Sequence, residues 1–390
     1  MALLIGSGLF AIAAPFVLYP IILWIRAALA PNPIAAADCT PTVSLIICAH
    51  NEEGSLPAKL ENALALDYPS DRLQICLASD GSTDATVDIA KQFEKRGVRV
   101  LDLPRNGKAY ALSAAANSCE TDVLAFSDAN SQWQPDALRA LVRPFADPRV
   151  GGVAGDQRYA QGPEQGRTID DTLGERTYWN FDRQLKQWQS SAGNVISATG
   201  AIYAVRRSLF QSPPADATDD FMISTGVIAQ GQRLVFAADA VSIEPPAGKQ
   251  GSEFRRKVRV ITRGLRGVGY RKNLLNPTLT GVYAFELLLH KLWRRLTWIP
   301  FLMLLLSTPF AWSQGGYSAA FSIGLVTATA VGVAGLVVPG LGRLKLVALA
   351  SYILMVNGAC AFASLNALRG RRVSHWDPER TVGDVSRPAR

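Results

Sequence analysis

Long stretches almost without charge constrain this 390-residue chain more than any other feature. Residues 1–30 hold a single charged side chain, Arg26, and the stretches 296–342 and 346–368 hold none. A helix needs about 20 apolar residues to cross the hydrocarbon core of a bilayer, and each stretch supplies them. A buried helix of a soluble domain could also be apolar, but such a helix is seldom this long. The sequence therefore predicts an integral membrane protein.

The charged residues at the ends of these stretches divide the chain into segments. The last stretch, 346–368, has two interpretations, because it either spans the membrane or dips into it and returns around Asn357-Gly358. Arg26 flanks the first stretch, and the positive-inside rule then places the residues after it in the cytoplasm. The predicted segments are an anchor at 1–30, a cytoplasmic domain at 40–250, basic amphipathic helices at 251–295, membrane segments at 296–368 with spans near 298–312 and 317–338, and a basic tail at 369–390.

The overall charge limits the classes of partner. Lysine and arginine number 40 against 32 aspartate and glutamate, a formal net charge of +8, and 48% of the residues are hydrophobic. Such a chain is too apolar to be largely disordered. The basic excess permits nucleic acid, a phosphorylated small molecule or an anionic membrane surface as partner. The basic residues concentrate at 253–272, and no aromatic side chain lies between Arg255 and Arg266, which favours membrane lipids over nucleic acid.

Between the membrane segments, short apolar runs alternate with stretches of helical periodicity. This alternation is typical of a mostly parallel sheet with helices on both faces. The predicted strands are Val43–Ala49, Arg72–Ser79, Val98–Leu103 and Val123–Ser127, and the predicted helices between them are Leu56–Leu66, Asp84–Lys95 and Lys108–Ser118.

Polar residues follow each of the four predicted strands. Any one of these clusters alone could be a turn or the first residues of a helix. Ligands of open α/β sheets bind beyond the carboxyl ends of the strands, so four such clusters predict one crevice. Its carboxylates and its lysine suit a nucleoside diphosphate carried with a divalent cation. The clusters are His50–Glu53, Ser79–Asp84, Pro104–Lys108 and Asp128–Asn130.

In this order, the motifs resemble those of the family 2 inverting glycosyltransferases. The flanking membrane segments resemble the branch of that family that makes polysaccharides and glycolipids. The resemblance implies an α/β fold: a GT-A (Rossmann-like), mostly parallel sheet domain inserted between N-terminal and C-terminal transmembrane helices. The matching residues are Val43–Glu53, Ser79–Asp84, Gly107–Leu112, Asp128–Asn130, Gly200–Arg207 and Asp219-Asp220.

The resemblance also implies roles for individual residues. Asp220 matches the general base, which would take the proton of the acceptor hydroxyl. Asp128 and Asn130 match the metal site of the family, so Mg²⁺ or Mn²⁺ is the expected cofactor. The donor is expected to contact Asn51, Glu52, Asp80, Lys108, Asp128 and Arg259, and the acceptor to contact Asp219, Arg256 and Trp179.

The sequence departs from the family pattern at two places. Asn130 stands where the family has a second aspartate, so the metal site loses one negative charge. In the segment that matches Gln-x-x-Arg-Trp, Arg259 is kept, but the glutamine is missing and Val260 replaces the tryptophan. Valine has no aromatic face on which a sugar can stack, so we expect few sugars to be added to each acceptor. Asp219 and Asp220 also have a simpler interpretation, as the N-cap of the helix that follows them.

The function that these features predict is sugar transfer from a nucleotide sugar, with a UDP-sugar expected, to a lipid-linked or membrane-proximal acceptor, forming a β linkage. By resemblance, the setting is polysaccharide or glycolipid synthesis at a bacterial inner membrane, together with other assembly enzymes. Two alternatives stay open. The acceptor could be a polyprenyl phosphate, or the chain could be a non-catalytic sensor of nucleotide sugars in an export complex.

Overall fold

The computed structural model describes residues 1–160, 169–244, 253–338 and 340–371, apart from the side chains of 169–180 and of Glu253. The chain divides into two compact units. The sheet unit is drawn from residues 30–166 and 178–249, and the helical unit from residues 1–29, 167–177 and 250–373.

The sheet unit contains one eight-stranded mixed sheet with the order β3-β2-β1-β4-β7-β6-β8-β5. Strands β3, β2, β1 and β4 are parallel to one another. Strand β7 runs antiparallel to β4 and to β6, β6 is parallel to β8, and β5 is antiparallel to β8. The strands are β1 (Val43–Ala49), β2 (Leu73–Asp80), β3 (Val98–Leu103), β4 (Val123–Asp128), β5 (Gln132–Trp133), β6 (Val150–Tyr159), β7 (Tyr203–Arg206) and β8 (Arg233–Glu244).

Fifteen helices accompany the strands in the described part of the chain, besides short 3₁₀ and π turns. They are α1 (Ala2–Ala13), α2 (Tyr19–Leu29), α3 (Leu56–Leu64), α4 (Thr86–Gln92), α5 (Lys108–Asn117), α6 (Ala137–Val142), α7 (Ile169–Ala192), α8 (Asp219–Ala229), α9 (Glu253–Tyr270), α10 (Pro277–Thr280), α11 (Val282–Leu287), α12 (Trp298–Leu306), α13 (Thr308–Ser313), α14 (Gly316–Val337) and α15 (Lys345–Leu368).

Strand β1, in the parallel half of the sheet, is buried on both faces, as its sequence requires. Every residue of β1 is buried, which agrees with its unbroken apolar run. Ile47 of β1 belongs to the same core cluster as Leu60 of α3 and Leu138 of α6. Full burial of such a side chain contributes roughly 1.5–3 kcal/mol of hydrophobic stabilisation. This core fixes the four parallel strands, so that their carboxyl ends share one edge of the sheet.

The predicted GT-A-type arrangement of strands and helices is confirmed, with small differences at the ends of elements. The predicted helix Asp84–Lys95 is shorter, because α4 ends at Gln92 and a 3₁₀ turn, Glu94–Arg96, follows it. Gly97 ends this segment with a φ of 93°, in the left-handed region that glycine favours.

The helical unit contains three helices long and apolar enough to cross a membrane, among the residues described. The first is Ala2–Leu29, in which a π-helical segment, Ala14–Leu18, joins α1 to α2. The others are α14 and α15. The predicted N-terminal anchor therefore has the expected helical structure.

The C-terminal membrane region differs from its prediction at two places. Residues 298–312 form two helices rather than one, because α12 ends at Leu306 and α13 starts at Thr308, and the span predicted there stays a prediction. Pro309 has no backbone N–H to donate to the preceding turn, which accounts for the break. The re-entrant alternative for 346–368 is wrong, because α15 is continuous through Asn357, whose side chain donates to the Ile353 carbonyl at 2.9 Å.

The basic helix α9 packs along α15 within the helical unit. The rings of Phe254 and Phe362 meet edge to face with 5.9 Å between centroids, and the Lys257 ammonium lies 5.1 Å from the Tyr352 ring centroid. A second polar contact in this unit is the ion pair between Arg26 and Glu286. The placement of the α9 arginines against lipid phosphates stays a prediction.

Candidate active site

The loops after β1 and β2 are joined by hydrogen bonds that fix the first half of the crevice. The Asn51 side-chain oxygen accepts a hydrogen bond from the Thr83 N–H at 2.8 Å, and the Asn51 N–H donates to the Ser82 hydroxyl at 3.2 Å. The Glu52 N–H donates to the Thr86 hydroxyl at 2.8 Å. Asn51 has a φ of 54°, and in the described part of the chain no other non-glycine residue has a positive φ. Asparagine tolerates that conformation, which turns the chain away from β1.

The carboxylates of this first half already have internal partners. The Glu52 carboxylate accepts a hydrogen bond from the Ser55 hydroxyl at 2.6 Å. Burial raises the pKa of Glu52, and the negative charges of Asp128 and Asp84 raise it further, whereas the hydrogen bond from Ser55 lowers it. The donor contacts predicted for Asn51 and Glu52 stay predictions.

Asp80 holds the loop that precedes Lys108. Its side chain is 1% exposed, and its carboxylate accepts hydrogen bonds from the N–H groups of Asn106 and Gly107, each at 2.8 Å. Gly81 has a φ of 59°, and a Cβ at this position would lie 2.6 Å from the Arg105 nitrogen, so the two loops can approach only at a glycine. The predicted contact of Asp80 with the nucleobase stays a prediction, whereas its hydrogen bonds here set the start of α5.

Lys108 lies between two carboxylates at the centre of the crevice. Its ammonium is 2.6 Å from Asp128 Oδ1 and 3.2 Å from Asp219 Oδ2. Burial alone would lower the pKa of Lys108, but the charges of Asp128 and Asp219 raise it well above the ordinary lysine value. A Cβ at Gly200 would lie 2.9 Å from Asp128 Oδ2, so a larger residue there would press on the carboxylate. The structure thus brings together three of the predicted site residues from β4, α5 and α8.

Asp219 and Asp220 begin α8 from inside the helix. The N-cap position belongs to Thr218, so the simpler interpretation of either aspartate as the N-cap is wrong. Burial raises the pKa of the Tyr203 phenol well above its ordinary value, and the negative charges of Asp219, Asp220 and Asp128 raise it further. Asp220 is half-buried, and its carboxylate accepts from the Phe221 N–H at 2.7 Å. Its role as general base stays a prediction.

A largely buried polar cluster lies behind Asp128 and was not predicted from the sequence. It consists of Lys59, Ser131, Gln157 and Glu244. A signal for Lys59 was present in the sequence, because Leu56, Lys59, Leu60 and Ala63 lie on one helical face and all four are buried. A lysine among apolar residues at that spacing marks a charge held inside the fold.

The residues present fit a divalent cation only if a ligand completes its coordination. Among the described side chains, no group of three or more His, Cys, Asp or Glu residues converges on one point. Asp128 offers a carboxylate and the exposed Asn130 offers an amide oxygen, which are ligands that Mg²⁺ and Mn²⁺ accept. Such a cation would take its remaining ligands from a diphosphate and from water.

For three predicted residues, a role at this site stays a prediction. Arg256 and Arg259 lie on α9 in the helical unit, and their contacts with donor or acceptor stay predictions. Trp179 lies in α7, but its side chain falls outside the described residues.

Comparison with known proteins identifies the family of the sheet unit. Residues 44–212 match the family model described as glycosyl transferase family 2. This domain belongs to glycosyltransferase family 2. A mannosyltransferase from Pyrobaculum calidifontis, solved with GDP-Man and Mn²⁺, superposes with a TM-score of 0.71 at 21% identity and covers 95% of this chain and 100% of that chain. The predicted GT-A fold and the predicted glycosyltransferase family 2 domain are therefore confirmed.

Curated relatives of the glycosyltransferase domain carry different names. A probable glycosyltransferase of Bacillus subtilis, YdaM, is 30% identical over 183 residues, which are 44% of this chain and 42% of the relative. A beta-monoglucosyldiacylglycerol synthase of Nostoc is 27% identical over 177 residues, 44% of this chain and 37% of the relative. A poly-beta-1,6-N-acetyl-D-glucosamine synthase of Staphylococcus epidermidis is 27% identical over 172 residues, 43% of this chain and 40% of the relative. The chain matches about two fifths of the length of these relatives.

Proposed function

We propose that this protein is an inverting glycosyltransferase that moves a sugar from a UDP-sugar to a lipid-linked or membrane-proximal acceptor and forms a β linkage. The observation that carries the proposal is the Asp128–Lys108–Asp219 cluster at the strand ends of a glycosyltransferase family 2 domain. The names of the relatives, which include a glycolipid synthase and a polysaccharide synthase, support the class of acceptor.

The residues of the crevice have distinct tasks in this proposal. Lys108 exchanges its carboxylate partners in part for the donor diphosphate, which it contacts as a point charge. Asp128 and Asn130 would hold Mg²⁺ or Mn²⁺, and the bound cation would offset negative charge on the leaving nucleotide. Asp220 accepts the proton of the acceptor hydroxyl while that oxygen attacks the anomeric carbon. The bond from the anomeric carbon to the diphosphate breaks, and the nucleoside diphosphate leaves with the electron pair.

The active site is expected on the cytoplasmic face of a bacterial inner membrane. Arg26 follows the apolar part of the first candidate span, which under the positive-inside rule favours a cytoplasmic sheet unit. Anionic membrane lipids and other enzymes of polysaccharide assembly are the expected partners, with the arginines of α9 on the lipid surface.

A short product is part of the proposal. Val260 is 46% exposed and offers no aromatic face to a growing chain. Among the residues described, only α14 and α15 of the C-terminal region are long enough to span a membrane, which is few for a channel that secretes polymer. We therefore expect one sugar, or very few, per acceptor.

A polyprenyl phosphate is the second candidate acceptor. The charge of α9 favours it, since five arginines between Arg255 and Arg266 lie in the helical unit. In that case the phosphate oxygen itself attacks the sugar, and no hydroxyl proton needs a base. Loss of activity in Asp220→Asn would then be small, which separates the two candidates.

Binding of donors to the purified protein tests the proposal at its first step. Calorimetry with UDP-, GDP- and dTDP-sugars in the presence of Mn²⁺ should show one preferred nucleotide. Asp128→Ala should abolish the Mn²⁺-dependent part of the binding, whereas Asp71→Ala, a change at an exposed aspartate before β2, should leave it unchanged. Absence of binding for every nucleotide sugar would refute the proposed function.

A further inference from the structure

We propose that Lys59 and Glu244 are positioning residues that hold the segment Asp128–Asn130 from the protein interior. The inference rests on the proposed function, because it concerns the same donor and metal site. Neither residue has a side chain in the crevice itself, since Lys59 is 0% and Glu244 8% exposed. Both act through Ser131, the residue that follows Asn130.

Ser131 is held on two sides by these buried charges. The Lys59 ammonium donates to the Ser131 carbonyl oxygen at 2.6 Å, and the Ser131 hydroxyl donates to Glu244 Oε1 at 2.5 Å. Gln157 donates to the other carboxylate oxygen of Glu244 at 2.6 Å. The Ser131 N–H donates to the Asp128 carbonyl at 3.3 Å, and this hydrogen bond closes the turn that contains Asn130. Movement of Ser131 would therefore move both predicted metal ligands.

Trp133, two residues further along this loop, is also held by hydrogen bonds. The Asn62 side chain accepts from the Trp133 N–H at 2.8 Å and donates to the Trp133 carbonyl at 2.7 Å. The Trp133 indole donates to the Ala201 carbonyl at 2.9 Å, and the Lys59 ammonium lies 5.2 Å from its ring centroid. Helix α3 thus holds this loop by two side chains about one helical turn apart: Lys59 contacts Ser131, and Asn62 contacts Trp133.

A lysine is a costly residue for this position if packing alone matters. Leu56, Leu60 and Ala63 share its buried helical face, and an unbranched apolar side chain of similar length would fill the space. Burial lowers the pKa of Lys59 to about 7, against the charges of Asp128 and Glu244, which raise it. Replacement of a whole buried ion pair by apolar groups of similar volume is often neutral or stabilising, whereas loss of one polar partner leaves the other unsatisfied. Packing alone therefore does not call for a lysine here, and its presence indicates a task at the site that Ser131 adjoins.

The test compares Lys59→Met with wild type and with Lys91→Met, in which an exposed lysine of α4 is changed in the same way. The readouts are the thermal unfolding temperature and calorimetric binding of Mn²⁺ and UDP, followed by KM and kcat. Loss of an outer-shell partner commonly weakens metal binding about 10- to 100-fold. We expect Lys59→Met to weaken Mn²⁺-dependent UDP binding about 10-fold and to raise the donor KM, while the loss of the hydrogen bond to the Ser131 carbonyl lowers the unfolding temperature by no more than about 5 °C.

Ser131→Ala tests the Glu244 side without a change of charge, and we expect it to weaken the same binding about threefold. Wild-type-like or tighter binding by Lys59→Met would overturn the inference, as would unfolding of this variant at the temperature of the binding assay. Unchanged binding by Ser131→Ala would remove Glu244 from it. A wild-type protein that binds no nucleotide would refute the proposed function itself, whereas equal binding by wild type and Lys59→Met refutes this inference alone.

Discussion

The substitution Lys108→Met removes the cation between Asp128 and Asp219, and we expect it to affect both stability and donor binding. The wild-type ammonium lies 2.6 Å and 3.2 Å from the two carboxylates. Methionine keeps most of the side-chain volume, so the change removes charge and hydrogen bonds rather than packing. Two carboxylates would then face each other without the cation between them.

The size of the effect follows from the exposure of the three side chains. They are 15% exposed for Lys108, 32% for Asp128 and 14% for Asp219. Breaking a fully buried pair costs about 3–5 kcal/mol, and an exposed pair contributes about 0–1 kcal/mol. This cluster lies between those limits, so we expect a loss of about 2 kcal/mol in the free energy of unfolding. The lost contact with the diphosphate should weaken donor binding by about 2 kcal/mol, or roughly 30-fold.

Unfolding and donor binding of Lys108→Met and of the surface control Lys91→Met are measured side by side in detergent. The folded-state pKa of Lys108 lies above its ordinary value of 10.5, so its contribution is complete below that pH and is lost as the pH rises through the folded-state pKa. The difference from wild type should therefore stay constant between about pH 6 and pH 9. Wild-type stability and donor affinity in Lys108→Met would refute the reasoning.

Three further predictions concern the chemistry. Asp220→Asn should leave donor binding nearly intact and lower turnover at least about 100-fold, because a general base acts chiefly in the transition state; wild-type-like turnover would remove Asp220 from the mechanism. Exhaustive chelation should abolish activity, and Asn130→Asp should tighten Mn²⁺ binding by adding a ligand charge, as a metal titration would show; activity that survives chelation contradicts the metal site. Mass spectrometry of products made with excess donor should show one or very few added sugars, and a ladder of long polymer would count against the role assigned to Val260.

The parallel half of the sheet could be predicted because short, mostly apolar runs alternate with stretches of helical periodicity in this part of the sequence. Strand β6 could not, since its Val-Gly-Gly-Val-Ala-Gly stretch is glycine-rich, which in a sequence suggests a loop. The structure explains these glycines by close packing. A Cβ at Gly152 would lie 2.8 Å from the Leu234 side chain, and one at Gly155 would lie 2.7 Å from the Ala240 carbonyl.

The same limit applies to the site. Asp128 and Lys108 could be brought together from sequence, because each lies at or just after the carboxyl end of a parallel strand, and these ends share one edge of the sheet. The contact of Lys108 with Asp219 joins residues far apart in the chain, and only the position of α8 beside β7 creates it. The role of Lys59 could not be predicted, because helical periodicity identifies the buried face of a helix but not what a charged side chain on that face contacts.

Transfer of a labelled sugar tests the central claim most directly. Purified wild-type protein is incubated with the preferred nucleotide sugar, Mn²⁺ and bacterial membrane lipid extract, and the extracted lipid is analysed by mass spectrometry and by NMR of the anomeric proton. We predict a labelled lipid product with a β linkage that forms with wild type and is at least about 100-fold reduced with Asp220→Asn. Donor binding without transfer to any lipid fraction, or a product with an α linkage, would contradict the account.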